Sequence, residues 1–220
     1  MTTRYLKRFS RLILGLFLYA VGIYFCVQAN IGLAPWDAFS MGFSLLTGMS
    51  FGNIVVLSGI AIIGIDFLLK EKIGFGTLLN AILIGKFMDL IAWFDLIPRL
   101  TSFWGGLLLL LLGQFIISLA SFLYIGSALG CGPRDALMVA LCKRFPKASV
   151  GVIRAALEGS VLLIGALLGA KVGIGTVISL FGISVMIQWT FRLLHFDVKE
   201  IKHENFADTW KIWRPEKVEV

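Results

Sequence analysis

Long apolar segments follow one another along most of this chain and limit what it can fold into. Several approach the roughly 20 residues that a helix needs to cross a hydrocarbon core about 30 Å thick. Of the 220 residues, 58% are hydrophobic and 15% are charged, which leaves little polar sequence for a soluble domain. The sequence therefore predicts an all-α polytopic membrane protein that forms one bundle of spans.

The net charge of +7 would favour a nucleic-acid partner in a soluble protein. In this chain the basic residues are concentrated in short loops and at the termini, where they set the orientation of the spans. We therefore expect membrane lipid, and no nucleic acid, as a partner. The cysteines have neither the pairing nor the spacing of a disulfide framework or a zinc site, and no cofactor or metal is expected; they are Cys26, Cys131 and Cys142.

A short polar interruption occurs twice in the apolar sequence. Residues 32–39 read GLAPWDAF, and residues 130–137 read GCGPRDAL at an offset of 98. The two segments share a proline and an aspartate, and they differ where Trp36 of the first corresponds to Arg134 of the second. A repeated interruption indicates a repeated structural unit.

The correspondence continues beyond the interruptions, with one residue gained. Residues 72–77 (KIGFGT) match residues 171–176 (KVGIGT) at an offset of 99. The predicted organisation is a basic cytoplasmic N-terminus (1–11), a first membrane repeat (12–94), a linker (95–104), a second membrane repeat (105–194) and a polar cytoplasmic tail (195–220).

Each repeat contains one segment that is short for a membrane span. Residues 35–47 would form a helix only about 20 Å long, and residues 133–145 are equivalent to them. Re-entrant half-helices fit this length better than full crossings. Each repeat would then have three transmembrane helices and one half-helix, and the two repeats would be inverted. The alternative is two parallel repeats of four spans.

The distribution of basic residues discriminates between these two topologies. In the inverted arrangement both termini are cytoplasmic, and only Arg99 and Lys171 lie outside. The parallel arrangement instead sends Lys70, Lys72, Arg134 and Lys171 outward. The positive-inside rule therefore favours the inverted arrangement, in the cell (inner) membrane.

Five short motifs occur in order along the chain: residues 35–37 (PWD), 74–80 (GFGTLLN), 132–135 (GPRD), 152–158 (VIRAALE) and 172–176 (VGIGT). Together they resemble the YczE branch of the YczE/YyaS/YitT family of bacterial membrane proteins. The resemblance covers roughly residues 12–194 and implies a multi-pass inner-membrane protein, without implying a particular activity.

Charged residues inside apolar segments are candidates for function because a buried charge is costly in a bilayer. Arg154 and Glu158 are four residues apart and share a helix face. They form either an internal ion pair or a proton or cation site at Glu158 that Arg154 tunes. Lys86 and Asp89, three residues apart, form a second candidate pair. Their sequence pattern fits a structural role and a functional role equally well. Asp66 is expected at the membrane interface.

The two interruptions provide the remaining candidates, Trp36, Asp37, Arg134 and Asp135. An aspartate in the first turn of a helix interacts favourably with the helix dipole, so one interpretation is that each caps its own helix. The other is a substrate site, because broken helices in inverted-repeat transporters present their ends to substrate near the midplane. In that case Arg134 would make the site asymmetric.

Two functions of different classes are compatible with these features. The first is a secondary transporter or exporter of a small polar or charged solute, with its site at the repeat interface. The second is a non-transporting membrane scaffold or regulatory partner. The small-residue pattern of residues 165–169 (GALLG) could also serve a homodimer. An intramembrane enzyme is not expected, because no nucleophile–base or metal-ligand spacing occurs.

Overall fold

The structure, a computed structural model, describes residues 2–197, 201, 204 and 205, with side chains from Tyr5 onward. Most of the predicted tail (195–220) lies outside the described residues. Within them the chain forms eight α-helices and no strand: α1 (Thr2–Gln28), α2 (Pro35–Thr47), α3 (Phe51–Leu68), α4 (Phe75–Phe94), α5 (Phe103–Ile125), α6 (Pro133–Arg144), α7 (Val150–Leu167) and α8 (Ile174–Leu193).

Six of these helices are long and apolar enough to cross a membrane, and the other two are short. The candidate spans are α1, α3, α4, α5, α7 and α8. The short helices α2 and α6 have 13 and 12 residues and begin at the two prolines of the polar interruptions. Because proline lacks an N–H and has a fixed φ, it suits the first position of a helix. The prediction of an all-α polytopic membrane protein is thus confirmed.

Two helix ends differ from the sequence prediction. Helix α1 begins at Thr2, so residues 2–11, predicted as a segment before the first span, form its first turns. Helix α5 ends at Ile125 and not at Leu129, because Ala128 and Gly130 have φ values of 58° and 139°. A right-handed helix cannot contain a residue with positive φ, so the chain leaves the helix before them.

Helices α1 and α5 pack along each other and form the centre of the bundle. Their contact contains the fully buried side chains of Leu12, Leu16 and Leu110. Close approach depends on Gly22 and Gly113, where an added methyl group would meet the backbone of the other helix. Small residues allow this approach, which increases dispersion contacts between spans. Helix α4 then packs on α1, and α8 on α5.

Each short helix packs mainly against a long helix from the other half of the chain. Helix α2 contacts α7, and α6 contacts α3. Gly165 of α7 lies directly against Ala38 of α2. Gly42 of α2 is also close to Gly165. The small-residue pattern that begins at Gly165 is therefore used, at this residue, for a contact within the chain.

Hydrogen bonds attach the beginnings of α4 and α8 to the segments that precede α6 and α2. The backbone N–H of Gly76 donates to the carbonyl oxygen of Leu129 at 2.7 Å, and that of Gly175 donates to Ile31 at 2.9 Å. The glycine-rich starts of α4 and α8 thereby hold the two irregular segments in place.

Two glycines with positive φ are needed at these attachments. Gly32 has φ 133° and Gly130 has φ 139°, a region that other L-residues rarely adopt. A methyl group on Gly32 would also meet Thr176, and one on Gly130 would meet Thr77. The repeated glycines thus serve both backbone conformation and close contact.

Candidate functional site

The first turns of α2 and α6 meet inside the bundle. The guanidinium carbon of Arg134 lies 4.7 Å from the centre of the Trp36 ring, which is a cation–π geometry. The residues preceding the helices, Ala34 and Gly132, provide no side-chain cap. The corresponding residues Trp36 and Arg134, at which one interruption has an aromatic side chain and the other a cation, are therefore in contact with each other.

A cavity of about 300 Å³ lies beside this contact. Residues from both halves of the chain line it, and six of the eight predicted site residues are among them: Trp36, Asp37, Arg134, Asp135, Arg154 and Glu158. A cavity of this volume is at the small end of the range for ligand pockets, roughly 300–1,000 Å³. The structure thus brings most of the predicted candidates into one place.

Asp37 is buried beside the cavity, with 6% of its surface exposed. Its carboxylate accepts no hydrogen bond from any residue that the structure describes, including the backbone amides of α2. The interpretation that Asp37 caps its own helix does not describe this arrangement. The side chain is close enough to Arg134 for electrostatic attraction, but no ion pair within 4.0 Å joins them.

Asp135 is held by a tyrosine that the sequence analysis did not identify. The hydroxyl group of Tyr124 donates to Oδ2 of Asp135 at 3.0 Å. A second tyrosine, Tyr19, packs edge-on against Tyr124, with ring centres 6.2 Å apart, and both line the cavity. The sequence could have indicated both tyrosines, because each lies within an apolar span and a buried phenol needs a polar partner.

Arg154 and Glu158 form the predicted ion pair on one face of α7. Nε of Arg154 and Oε1 of Glu158 are 2.8 Å apart. Both residues line the central cavity and also a groove of about 360 Å³ between α7 and α8. Because the same pair borders both spaces, the cavity and the groove adjoin at this point.

Gln114 contributes a buried amide to the same cavity. It is 1% exposed, and its Nε2 donates to Oγ of Ser179 at 3.4 Å. Its Oε1 has no hydrogen-bond partner among the described residues. Buried polar atoms usually have a partner, so an unpaired acceptor beside a cavity is consistent with a ligand or water there.

Lys86 and Asp89 lie away from the central cavity and are not paired with each other. Asp89 accepts hydrogen bonds from Oγ of Ser50 at 2.7 Å and from the backbone N–H of Gly52 at 2.9 Å. Lys86 donates to Asn53 at 2.9 Å. The expected pair is wrong because α4 packs against the beginning of α3, which supplies nearer partners for both side chains.

Asp66 lies near the end of α3, where the sequence predicts the membrane interface, and its side chain is fully buried in the protein. Helix α6 packs on α3. Neither carboxylate oxygen has a hydrogen-bond partner within the described part of the chain.

The fold and the cavity define the class: a polytopic α-helical membrane protein in which ionisable residues from both halves line one cavity. Residues 6–192 match the family model described as "Family of unknown function (DUF6198)", and the chain belongs to that family. No solved structure matches the chain.

Curated relatives agree with this assignment. The chain is 33% identical to an uncharacterized protein of Haemophilus influenzae over 86% of its own length and 85% of the relative's. It is 30% identical to the uncharacterized membrane protein YczE of Bacillus subtilis, over 75% and 76% of the two lengths. It is 24% identical to the uncharacterized protein YyaS of the same organism, over 76% and 83%. The resemblance to the YczE branch is thus confirmed.

Proposed function

We propose that the protein is a secondary transporter or exporter of a small polar or charged solute, with its binding site in the central cavity. The observation that carries the proposal is the meeting of the α2 and α6 starts at a cavity lined by ionisable groups from both halves. Ionisable groups at membrane depth are costly and mark solute or ion pathways. Broken helices that meet at the repeat interface are typical of binding sites in secondary transporters.

The contacts around α2 support a re-entrant path for this segment. Gln28, before α2, and Ser50, after it, line one cavity together with Asp95 and Arg99. The chain on both sides of α2 therefore lies near the same end of the bundle, beside the loop between α4 and α5. A segment that enters and leaves at one end does not cross the membrane.

The contacts around α6 support the same path at the other end. Cys131, before α6, and Lys143, in its last turn, border a common cavity with Lys72, and Lys143 pairs with Glu71 at 2.7 Å. Both flanks of α6 thus lie beside the loop between α3 and α4. Two half-helices that enter from opposite ends would give the inverted arrangement that the basic residues favour.

Cysteine accessibility tests this topology. In a variant without native cysteines, we expect Thr47→Cys and Lys72→Cys to react with a membrane-impermeant maleimide from opposite sides of oriented vesicles. Labelling of both from one side would support the parallel four-span arrangement. It would also remove the strongest structural reason for proposing a transporter.

Flux measurements test the function itself. Purified protein in proteoliposomes is assayed on a solid-supported membrane with a panel of amino acids, small carboxylates, amines and polyols. We expect flux of at least one solute, and its loss in the combined variant Glu158→Gln, Arg134→Ala, Asp135→Asn. The matched control combines Asp95→Asn with Arg99→Gln, both exposed in the loop between α4 and α5. Equal flux in the site variant and the control would contradict the proposal.

A further inference from the structure

The charged groups around the central cavity divide into paired and unpaired sets. Arg154 is paired with Glu158, and Asp135 accepts a hydrogen bond from Tyr124. Arg134 and Asp37, in contrast, have no salt bridge within 4.0 Å and no hydrogen bond through their side chains, as far as the described residues extend. One unpaired cation and one unpaired anion therefore border the same cavity.

The Arg134 side chain is positioned to bind an anionic group. Its guanidinium carbon lies 4.7 Å from the centre of the Trp36 ring, and its N–H donors have no hydrogen-bond partner among the described residues. Guanidinium groups bind carboxylates through two parallel hydrogen bonds and retain their charge at any relevant pH. A carboxylate of a bound molecule would satisfy donors that no described protein group satisfies.

Two hydrogen-bond acceptors beside the cavity, one on α2 and one on α5, have no donor from the described part of the protein. Asp37 is 6% exposed and Gln114 is 1% exposed, so neither is solvated by bulk water. Neither the Asp37 carboxylate nor Oε1 of Gln114 has a protein hydrogen-bond partner in the region that the structure covers. Both line the cavity. A cationic group that carries N–H donors would compensate the charge of Asp37 and donate hydrogen bonds to its carboxylate.

The chemistry of the cavity also discriminates between kinds of cation. A quaternary ammonium has no N–H donor and is usually bound by exposed aromatic faces. Here one face of Trp36 is covered by Arg134, and the unpaired groups are hydrogen-bond acceptors. A primary ammonium fits this arrangement better than a quaternary one.

We infer that the solute is a small zwitterion with a carboxylate and a primary ammonium group, of the kind found in free amino acids. Its carboxylate binds Arg134, and its ammonium group binds Asp37 beside Gln114. The cavity volume of about 300 Å³ limits the solute to a small molecule. This inference rests on the proposed function for its physiological meaning, but binding can be measured without transport.

Calorimetric titration of the full-length protein in lipid nanodiscs tests the inference. The probes are free L-amino acids, glycine betaine as a zwitterion without N–H donors, propionate as a carboxylate alone and ethylamine as an amine alone. We expect at least one amino acid to bind roughly thirtyfold more tightly than the other three probes. The inference is overturned if no amino acid binds to folded protein, or if betaine, propionate or ethylamine binds as tightly as the best amino acid.

Variants assign the two ends of the ligand. Arg134→Gln and Asp37→Asn should each weaken amino-acid binding by roughly thirtyfold, while Arg99→Gln and Asp95→Asn leave it unchanged. Arg134→Gln should leave the affinity for ethylamine as it is in the unsubstituted protein, because ethylamine has no carboxylate. Asp37→Asn should likewise leave the affinity for propionate unchanged, because propionate has no ammonium group. If either variant fails to fold, Arg134→Lys or Asp37→Glu replaces it, with partial recovery expected. Unchanged amino-acid affinity in the folded variants overturns the inference.

Flux of the bound amino acid separates this inference from the proposed function. Binding without flux in proteoliposomes supports the zwitterion site and contradicts transport. Flux of a solute that is not zwitterionic, and that no amino acid inhibits, supports transport and overturns the zwitterion site.

Discussion

The helix pairs α3–α4 and α7–α8 occupy corresponding places in the sequence, 99 residues apart, but only the first pair is closely packed. In α3–α4, Gly52 lies against Gly85, and Gly59 lies against Ala81. Helices α7 and α8, whose residues are all described, scarcely touch, and a groove of about 360 Å³ lies between them.

Side-chain size explains this difference. The positions that correspond to Gly59 and Ala81 are occupied by Glu158 and Leu180, which both line the groove. Small residues let two helix backbones approach each other, whereas larger or charged residues at the crossing keep them apart. The open pair thus has larger side chains at positions where the packed pair has glycine and alanine.

The groove between α7 and α8 adjoins the central cavity. Arg154, Glu158 and Leu180 border both the groove and the central cavity. Residues of α7 and α8 line the central cavity, whereas no residue of the α3–α4 pair does.

The largest expected effect comes from a bulky residue in the closed pair. In Gly85→Ile, Cβ would lie 2.7 Å from Cγ2 of Val56 and would also meet the carbonyl of Gly52. We expect a loss of about 3 kcal/mol in the free energy of unfolding, measured in mixed micelles. Ser184→Ile, at the corresponding position of α8, should change it by less than about 0.5 kcal/mol. Equal losses would show that both pairs are closed.

The next largest effect concerns the hydrogen bonds of Asp89, which join α4 to the beginning of α3. Asp89→Ala removes the acceptor for Ser50 and for the backbone N–H of Gly52. We expect a loss of about 2 kcal/mol in the free energy of unfolding. The matched control is Gln188→Ala, since Gln188 occupies the corresponding position of α8 and is exposed. A control loss as large as the Asp89 loss would contradict the difference between the pairs.

Thiol reactivity measures the openness of the groove directly. In a variant without native cysteines, Leu180→Cys should react with a small water-soluble maleimide roughly tenfold faster than Ala81→Cys. The reason is that Ala81 is 3% exposed, whereas a reacting thiolate needs solvent access. Similar rates for the two positions would mean that the α7–α8 groove closes in the membrane.

The smallest effect is expected from the ion pair in the groove. Arg154 is 48% exposed and Glu158 is 20% exposed, so the protein encloses this pair only in part. A double-mutant cycle with Arg154→Gln and Glu158→Gln should give a coupling energy of about 0.5 kcal/mol. The cycle is measured by unfolding in mixed micelles. A coupling energy above about 2 kcal/mol would indicate a buried pair and a closed groove.

Much of the helical architecture could be predicted from local sequence. Helix α2 has the predicted bounds, from Pro35 to Thr47, because proline marks its start and Gly48 adopts a left-handed conformation after its end. The end of α5 was missed because the positive φ of Ala128 depends on how its segment is held by its neighbours. Alanine is a good helix former, so its sequence does not indicate a break.

Part of the candidate site could also be predicted from local sequence. Charges in apolar segments identify Arg154 and Glu158 without knowledge of the fold, because a buried charge is costly wherever it lies. The same reasoning also selected Lys86 and Asp89, which bind the beginning of α3 and lie outside the cavity. Tyr124 was missed because its partner, Asp135, lies on another helix.

The amino-acid sequence by itself determined that this protein is a helical membrane protein, where the eight described helices lie, and which polar residues interrupt their apolar segments. These properties depend on hydrophobicity and on backbone preferences, which act over a few neighbouring residues. Only the tertiary structure decided that Arg134 meets Trp36, that Asp37 lies beside a cavity without a partner among the described residues, and that α7 and α8 are apart. Those properties depend on side-chain volume and pairing between segments about 100 residues apart, which no local pattern encodes.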